Sequence, residues 1–289
     1  MSLIVDLDRE AFAEAAKVHR AIPVRAELLA DMATPVSGFL RLVGSEPGFL
    51  LESAEHGERW SRYSFAGRRP LATLVARGLD IEVRGDLAVP DMPTDQGVLA
   101  AVDHLISVLS SPANPDDPPL GAGLVGFFGY DVVREVERLP NPPVDDQNFP
   151  DAIIDVVGDI AAYDHWRQRV LIASVAILPE GATARQIDAA YDDALERLHT
   201  LASDGARPID EPMLQFLGEQ PAPDVTSSLG SGMYQAAVRA AKEYIVAGDI
   251  FQVVLSQRFD FPLEAEDTDV YRVLRQINPS PYMYLLRQP

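Results

Sequence analysis

The sequence predicts an α+β fold in which antiparallel β-sheets pack face to face with helices outside. Its strand-like segments come in close pairs, whereas a parallel sheet needs a helix between successive strands. The chain has 289 residues, of which 47% are hydrophobic, enough for a sizeable core and about two domains. We expect an α+β region over residues 1–205, a Gly-, Pro- and Ser-containing linker over 206–231, and the start of a further domain over 232–289.

Local signals predict the order of elements in the first region. Thr34 followed by Pro35 is typical of a helix start, and this helix is expected to end near Gly44. Residues 121–139 are expected to begin as a strand and to turn into a helix near Tyr130. Hydrophobic spacing predicts further helices at residues 8–20, 97–109 and 183–201, and strands at 48–53, 59–67, 71–77, 79–85, 152–157 and 170–178.

Beyond residue 231, a predicted helix leads into the stretch GDIFQVVLSQRF, from Gly248 to Phe259. Ser231 fits an N-cap and Gly248 a residue that ends a helix. We expect a strand after Gly248, then a short helix and a second strand in NPSPYMYLL, residues 278–286. Alternation gives the first strand two faces: Phe251, Val253, Leu255 and Phe259 toward the core, and Gln252, Val254, Ser256 and Arg258 on a polar side. An edge strand would show the same pattern, so spacing alone leaves the meaning of the polar side open.

Charge and composition exclude several classes of function. The 24 basic and 44 acidic side chains give a formal charge of −20, which argues against a nucleic-acid or anionic-membrane partner. The sequence has no cysteine, so disulfides, thiolate metal sites and cysteine nucleophiles are excluded. No apolar run approaches the length of a membrane span, and the N-terminus is acidic where a signal peptide would be basic. We expect a cytoplasmic protein.

One motif suggests a nucleotide site but lies in the wrong context. GAGLVG, from Gly121 to Gly126, matches the G-x-G-x-x-G pattern of dinucleotide-binding folds. That pattern needs a strand before its first glycine and a helix at its third, whereas here a proline-containing segment precedes and apolar residues follow. We therefore interpret these glycines as small residues that let a strand approach its neighbour closely. The five histidines show no spacing typical of a zinc site.

Four ordered motifs point to a known family. They are LLES at 50–53, SRYSF at 61–65, GLVGFFGYD at 123–131, and GDIFQVVLSQRF with NPSPYMYLL near the C-terminal end. Together they closely resemble the anthranilate synthase component I family of chorismate-using enzymes. The resemblance implies conversion of chorismate and ammonia to anthranilate and pyruvate in tryptophan biosynthesis. It also implies Mg²⁺ as cofactor and a glutamine amidotransferase partner that supplies the ammonia.

Gln252 is the residue that the resemblance implies for catalysis. In relatives that add water to chorismate, a lysine general base stands at this place, and an amide cannot take a proton from water as an amine can. Gln252 therefore indicates the ammonia-using branch and is expected to line the chorismate site. Within that branch, NPSPYM resembles anthranilate synthase better than aminodeoxychorismate synthase, in which phenylalanine commonly follows the second proline.

The resemblance also implies a regulatory site. Six residues fall where the family binds tryptophan as feedback inhibitor: Glu52, Ser53, Arg62, Pro281, Tyr282 and Met283. Proline, tyrosine and methionine side chains can form an apolar slot for an indole, and a serine hydroxyl can hydrogen-bond the ammonium or carboxylate. Glu52 could face the ammonium and Arg62 could serve as a counter-charge. Without the resemblance, Ser53 would be an ordinary strand end.

The chain departs from the family in length. Complete members are nearly twice as long, and their Mg²⁺-binding glutamates, catalytic histidine and chorismate-anchoring arginine would follow Pro289. We therefore expect a truncated sandwich that carries no metal ligands and is inactive alone. Two alternatives stay open: a non-catalytic tryptophan-binding or subunit-interaction module, and aminodeoxychorismate synthase component I.

Overall fold

The computed structural model describes residues 3–53, 62–87, 89–209, 213–215 and 222–288. The chain divides into two compact units, one formed by Met1–Asp210 together with Leu274–Pro289, the other by Glu211–Val273. The helices are α1 Arg9–Ala15, α2 Pro35–Leu42, α3 Val98–Val108, α4 Ala184–Gly205, α5 Met233–Ala247 and α6 Asp267–Ile277, with a 3-10 helix at Tyr130–Glu135. The prediction of domains at 1–205, 206–231 and 232–289 stays a prediction.

The first unit contains two antiparallel sheets. Its strands are β1 Ala21–Leu29, β2 Gly48–Ser53, β3 Tyr63–Arg68, β4 Ala72–Arg77, β5 Asp80–Arg84, β6 Leu124–Phe128, β7 Ala152–Val156, β8 Asp159–Asp164, β9 Arg169–Ile177 and, near the C-terminal end, β12 Tyr282–Arg287. Six strands form one sheet in the order β1-β9-β8-β3-β2-β12. The other four form a second sheet in the order β5-β4-β7-β6.

The two sheets share a core, which confirms the predicted α+β sandwich. Phe49, Phe65 and Val175 of the six-stranded sheet belong to one apolar cluster with Val125 of the four-stranded sheet. On the other face of the smaller sheet, Leu74 packs with Leu105 of α3 in a second cluster. Helices α2 and α4 pack on the other face of the larger sheet. Each sheet therefore has an inner apolar face and an outer face covered by helix.

Several local predictions are confirmed. The Thr34 hydroxyl accepts the Ser37 amide at 3.1 Å and the Ser37 hydroxyl accepts the Thr34 amide at 2.9 Å, which caps α2 as expected. The β4–β5 hairpin turns at Gly78, which has a φ of +58°. A side chain at Gly126 of β6 would come within 1.9 Å of the Ile153 carbonyl oxygen, so this glycine does permit close strand approach.

Two strands of the larger sheet were not predicted. β1 contains Pro23, which the sequence analysis treated as a helix terminator. Proline is tolerated here because β1 lies at the edge of the six-stranded sheet, and the isolated bridge from Val5 joins it at Ala26, away from Pro23. β8 begins directly after Gly158, where the chain passes from the smaller sheet to the larger one. The predicted opening helix also ends early, at Ala15, and the residues after His19 form β1.

In the second unit, the prediction of a strand after Gly248 that runs to Phe259 is wrong. The strand β11 comprises only Phe259–Asp260 and pairs with β10, Thr226–Ser227. A strand requires a hydrogen-bonded neighbour, and within the described ranges residues 251–258 have no strand partner. The predicted separation of faces also fails, because Phe251 of the supposed core face is 92% exposed and Val254 of the polar face is 83% exposed.

The helix before this segment is bounded by two glycines. Gly232 is the N-cap of α5 and no side chain caps that end, so the predicted Ser231 cap is wrong. Gly248 has a φ of +83° and its amide donates to the Ile245 carbonyl, which confirms its predicted role at the C-terminal end.

Candidate functional site

The pairing of β12 with β2 brings two of the sequence motifs together. Ser53 lies directly opposite Tyr282 and Glu52 directly opposite Met283. Opposed residues of an antiparallel pair share a face, and faces alternate along each strand. Ser53 and Tyr282 therefore lie on one face of the sheet, whereas Glu52 and Met283 lie on the other. Pro281 is exposed and immediately precedes β12.

The face that carries Ser53 and Tyr282 is the inner face of the sandwich. Further along the same pair of strands, Phe49 and Leu286 are opposed on this face and pack into the core between the sheets. At the outer end, Tyr282 is 70% exposed. A serine hydroxyl and a largely exposed tyrosine ring thus lie side by side where the apolar core ends. This arrangement can contact a small amphipathic ligand.

Glu52 lies on the opposite face and already has a cationic partner. Its side chain is 3% exposed, and its Oε2 lies 2.8 Å from Nε of Arg275. A second contact runs from Nη2 of Arg275 to Oε1 of Glu52 at 3.1 Å. Such a two-point arginine–carboxylate pair compensates the negative charge of Glu52. Sequence reasoning did not find Arg275, because it lies 223 residues from Glu52 along the chain.

Arg62 is held beside the site by an acidic and two aromatic residues. Its Nη2 and Nε donate to Oδ2 of Asp164 at 2.7 and 3.1 Å. Its guanidinium lies 4.6 Å from the ring centre of Tyr63 and 5.2 Å from that of Trp166. Hydrogen bonding to Asp164 raises the pKa of Arg62. A ligand carboxylate at Arg62 would therefore have to share the guanidinium with Asp164.

The pKa of Asp164 reflects two opposed effects. Burial raises the pKa of this carboxyl, but the hydrogen bonds from Arg62 and from the Trp166 and Arg167 amides outweigh burial, so the net direction is downward. Asp164 is thus held ionised at the turn between β8 and β9. Neither Asp164 nor Trp166 was predicted from sequence.

A further polar contact joins the end of β2 to the same turn. The amide of Ser53 donates to the hydroxyl oxygen of Ser64 at 3.3 Å. The Ser64 hydroxyl also lies 2.8 Å from Nε2 of His165. Burial lowers the pKa of His165, while the carboxylates of Glu52 and Asp164 oppose that effect. Ser64 belongs to the SRYSF motif, which was the only sequence signal for this contact.

Gln252 lies elsewhere in the chain. It is exposed and belongs to the second unit, in the segment that forms no strand. Its expected role beside chorismate stays a prediction. A cavity of about 530 Å³ in the first unit is lined by apolar residues of α3, β6, β7 and β9. Its lining contains no ionisable side chain, so it offers no group for acid–base chemistry.

Two kinds of feature, a metal-ligand cluster and a membrane-spanning helix, are absent from the described ranges. No group of three or more histidine, cysteine, aspartate or glutamate side chains in them could hold a metal ion. No helix among those described is long and apolar enough to cross a membrane.

Comparison with known proteins places the chain in a family. Residues 48–289 match the model of the chorismate binding enzyme. The chain belongs to the chorismate binding enzyme family. Anthranilate synthase component 1 of Mycobacterium tuberculosis is 40% identical over 99% of this chain and 56% of its own length. The corresponding protein of Mycolicibacterium smegmatis is 41% identical over 97% of this chain and 53% of its own length.

A solved structure shows the same fold. Anthranilate synthase component I from Streptococcus pneumoniae superposes with a TM-score of 0.55 at 22% identity, over 78% of this chain and 47% of that chain. The chain matches the N-terminal part of its curated relatives, which confirms the resemblance seen in the sequence motifs. It spans about half the length of those relatives.

Proposed function

We propose that this chain forms part of an anthranilate synthase component I. The complete enzyme would convert chorismate and ammonia to anthranilate and pyruvate in tryptophan biosynthesis. The observation that carries the proposal is the 40% identity to anthranilate synthase component 1 of Mycobacterium tuberculosis over 99% of this chain. Membership of the chorismate binding enzyme family supports chorismate as substrate.

The proposal includes a partner and a cofactor. A glutamine amidotransferase subunit would supply ammonia, in keeping with the relatives' designation as component 1 of a synthase. Gln252 would mark the ammonia-using branch, since an amide cannot activate water as a base. Mg²⁺ would serve the complete enzyme, but the described residues offer no ligand set for it, and we assign it no step. We propose that the 289 residues alone are inactive; the cytoplasmic location stays a prediction.

The regulatory part of the proposal concerns the β2–β12 edge. Tryptophan would bind with its indole against Pro281 and Tyr282 and its polar groups at Ser53. The register that opposes Ser53 to Tyr282 supports this assignment, because both side chains lie on one face. Arg62 could receive the ligand's carboxylate in exchange with Asp164. Glu52 and Met283 lie on the other face, so we assign them to supporting the strand pair rather than to direct contact.

A chimera tests the reaction and its regulation together. This chain would replace the matched N-terminal part of the Mycobacterium tuberculosis relative, and anthranilate fluorescence and pyruvate would be measured with chorismate, Mg²⁺ and an ammonium salt. We expect anthranilate from the chimera, none from the 289-residue chain, and inhibition by tryptophan. In the chimera, Ser53→Ala should raise the tryptophan concentration for half-inhibition about five-fold, the loss of roughly one hydrogen bond. Ser107→Ala, on exposed α3 surface, is the matched control.

Other outcomes of the chimera experiment would contradict all or part of the proposal. An aminated chorismate formed without pyruvate would contradict the proposal and favour aminodeoxychorismate synthase. A folded chimera that binds tryptophan but forms no product would favour a non-catalytic tryptophan-binding module. Anthranilate formation that tryptophan does not inhibit would refute the regulatory part alone.

A further inference from the structure

We propose that His165 is a positioning residue for the tryptophan site: acting through the Ser64 hydroxyl, it fixes the Ser53 amide and makes tryptophan binding depend on pH. This inference rests on the proposed function. His165 would not touch the ligand. It would act from the β8–β9 turn, through a buried hydroxyl, on the backbone of the residue that does.

The hydrogen-bond directions follow from the donors present. The Ser53 amide can only donate, so the Ser64 oxygen accepts at 3.3 Å. Ser64 is fully buried, and among the described residues its hydroxyl has one other polar neighbour, Nε2 of His165 at 2.8 Å. We assign the hydroxyl hydrogen to Nε2, because this direction gives both groups a partner, and Nε2 is then the unprotonated ring nitrogen. The neutral imidazole with its proton on Nδ1 is the form that completes this chain of contacts.

The position of His165 is itself fixed. Its backbone amide donates to the Arg62 carbonyl at 2.9 Å, directly beside the strand that carries Ser64. Arg62 in turn pairs with Asp164, the residue before His165. The backbone at His165 is thus anchored at Arg62, two residues before Ser64. We therefore expect a change at Nε2 to act on Ser64 rather than to be absorbed by movement of the turn.

Three charged side chains act on the imidazole. Glu52 and Asp164 favour its protonated form, whereas Arg275 and, most strongly, burial favour its neutral form. The net pKa lies below the ordinary value of 6.5. The neutral form of His165 therefore predominates at pH 7, and the protonated form takes over only as the pH falls through the lowered pKa.

Protonation would disrupt the contact. Once Nε2 carries a hydrogen, it can only donate, and the hydrogen of the fully buried Ser64 hydroxyl loses its acceptor. A buried polar group left without a partner costs free energy, so the Ser64–Ser53 contact must rearrange. The end of β2 would then hold Ser53 less firmly. Tryptophan affinity is expected to fall as the pH decreases through the pKa of His165.

Calorimetric titration of the full chain with tryptophan at two pH values, one well above and one well below the midpoint of the His165 ring resonances, tests this. In the wild type we expect the Kd to rise about three- to ten-fold at the lower pH, equivalent to one net hydrogen bond. His165→Asn should bind with the same affinity at both pH values. His199→Asn removes an exposed histidine of α4 and should behave as the wild type. A pH dependence that persists in His165→Asn would overturn the inference.

A second measurement does not depend on tryptophan. The Ser53 amide resonance should shift with pH at the midpoint of the His165 ring resonances, and this shift should vanish in Ser64→Ala and His165→Phe. A static Ser53 amide together with pH-independent tryptophan binding would overturn the inference and leave the proposed function standing. A titrating Ser53 amide in a protein that binds no tryptophan would support the His165–Ser64–Ser53 contact and overturn the proposed tryptophan site.

Discussion

Two polar clusters lie on the outer, helix-covered face of the six-stranded sheet, and they differ in whether a histidine accompanies the arginine–carboxylate pairs. The inner ion network comprises Arg68, Asp159, Ser174, Arg197 and Asp204. The edge cluster comprises Glu52, Ser64, His165 and Arg275. The inner network pairs each buried carboxylate with arginine, whereas the edge cluster includes a titratable imidazole near the exposed end of a strand pair. The difference favours a structural role for the inner ion network, and it agrees with the regulatory role that we propose for the edge cluster.

The inner ion network fastens α4 to the sheet. Asp159 is fully buried and its Oδ1 accepts from Ser174 at 2.9 Å and from Nη1 of Arg197 at 2.7 Å. Arg68 donates to the Leu42 carbonyl at 3.0 Å and pairs with Asp204 of α4. Its Nε lies 3.6 Å from Oδ2 of Asp159. Helices α2 and α4 and strands β3, β8 and β9 are thereby joined through largely buried charged groups.

Breaking the inner network should have the largest effect. Asp159→Asn would leave the Arg68 and Arg197 guanidiniums with too little negative charge, and removing one partner of a buried ion pair costs about 3–5 kcal/mol. We expect that loss in the free energy of unfolding, measured with urea and circular dichroism. Asp188→Asn removes an exposed partner of Arg9 and should leave the unfolding curve unchanged. A loss below about 1 kcal/mol for Asp159→Asn would contradict the structural role.

The edge cluster should tolerate the equivalent change better. Glu52→Gln removes the charge opposite Arg275, but the Arg275 side chain is 27% exposed, so water can replace part of the interaction. We expect a loss of about 1–3 kcal/mol in unfolding free energy. The control Glu46→Gln, at an exposed position with the same chemistry, should show none. If Glu52→Gln cost as much as Asp159→Asn, the proposed distinction between the clusters would fail.

Sequence patterns predicted the structural features that depend on residues close together in the chain. The Thr34–Pro35 helix start, the Gly78 hairpin and the Gly248 helix end are local choices of backbone conformation, so their signals lie within a few residues. The family resemblance went further and related Ser53 to Tyr282. The structure places these two residues opposite each other in the sheet, 229 positions apart in number (282 − 53), which no local pattern could reveal.

The errors and omissions come from contacts between distant segments. Gly248–Phe259 has the alternation of a strand, but alternation describes side-chain direction and cannot supply the neighbouring strand. Arg275 and His165 were overlooked because their partners, Glu52 and Ser64, lie 223 and 101 residues away. Pro23 in β1 was misread because an edge position, which makes proline acceptable, is a property of the sheet.

Asp155 of β7 extends the comparison to a buried carboxyl without a cation. Its relative exposure is 3%, close to that of Asp159, yet its contacts in the described part of the chain are the Thr73 hydroxyl at 2.5 Å and the Gln288 amide at 3.3 Å. Burial raises the pKa of Asp155 above its ordinary value of 3.8, although both hydrogen bonds oppose this. The folded state therefore binds the proton more tightly than the unfolded state.

This pKa direction predicts the smallest effect of the three. The stability that protonated Asp155 contributes is fully present below pH 3.8 and is lost as the pH rises through the raised folded-state pKa. Asp155→Asn should remove that pH dependence, and at about pH 4 it should change the unfolding free energy by less than about 1 kcal/mol, since an amide can replace the protonated acid. Its new NH₂ group could donate to Oε1 of Gln288, which is buried without a hydrogen-bond partner.

Urea unfolding between about pH 4 and pH 7, with Asp80→Asn as the exposed control, measures the unfolding free energy and its pH dependence. A loss at pH 7 as large as that of Asp159→Asn would mean that Asp155 is ionised and belongs with the inner network.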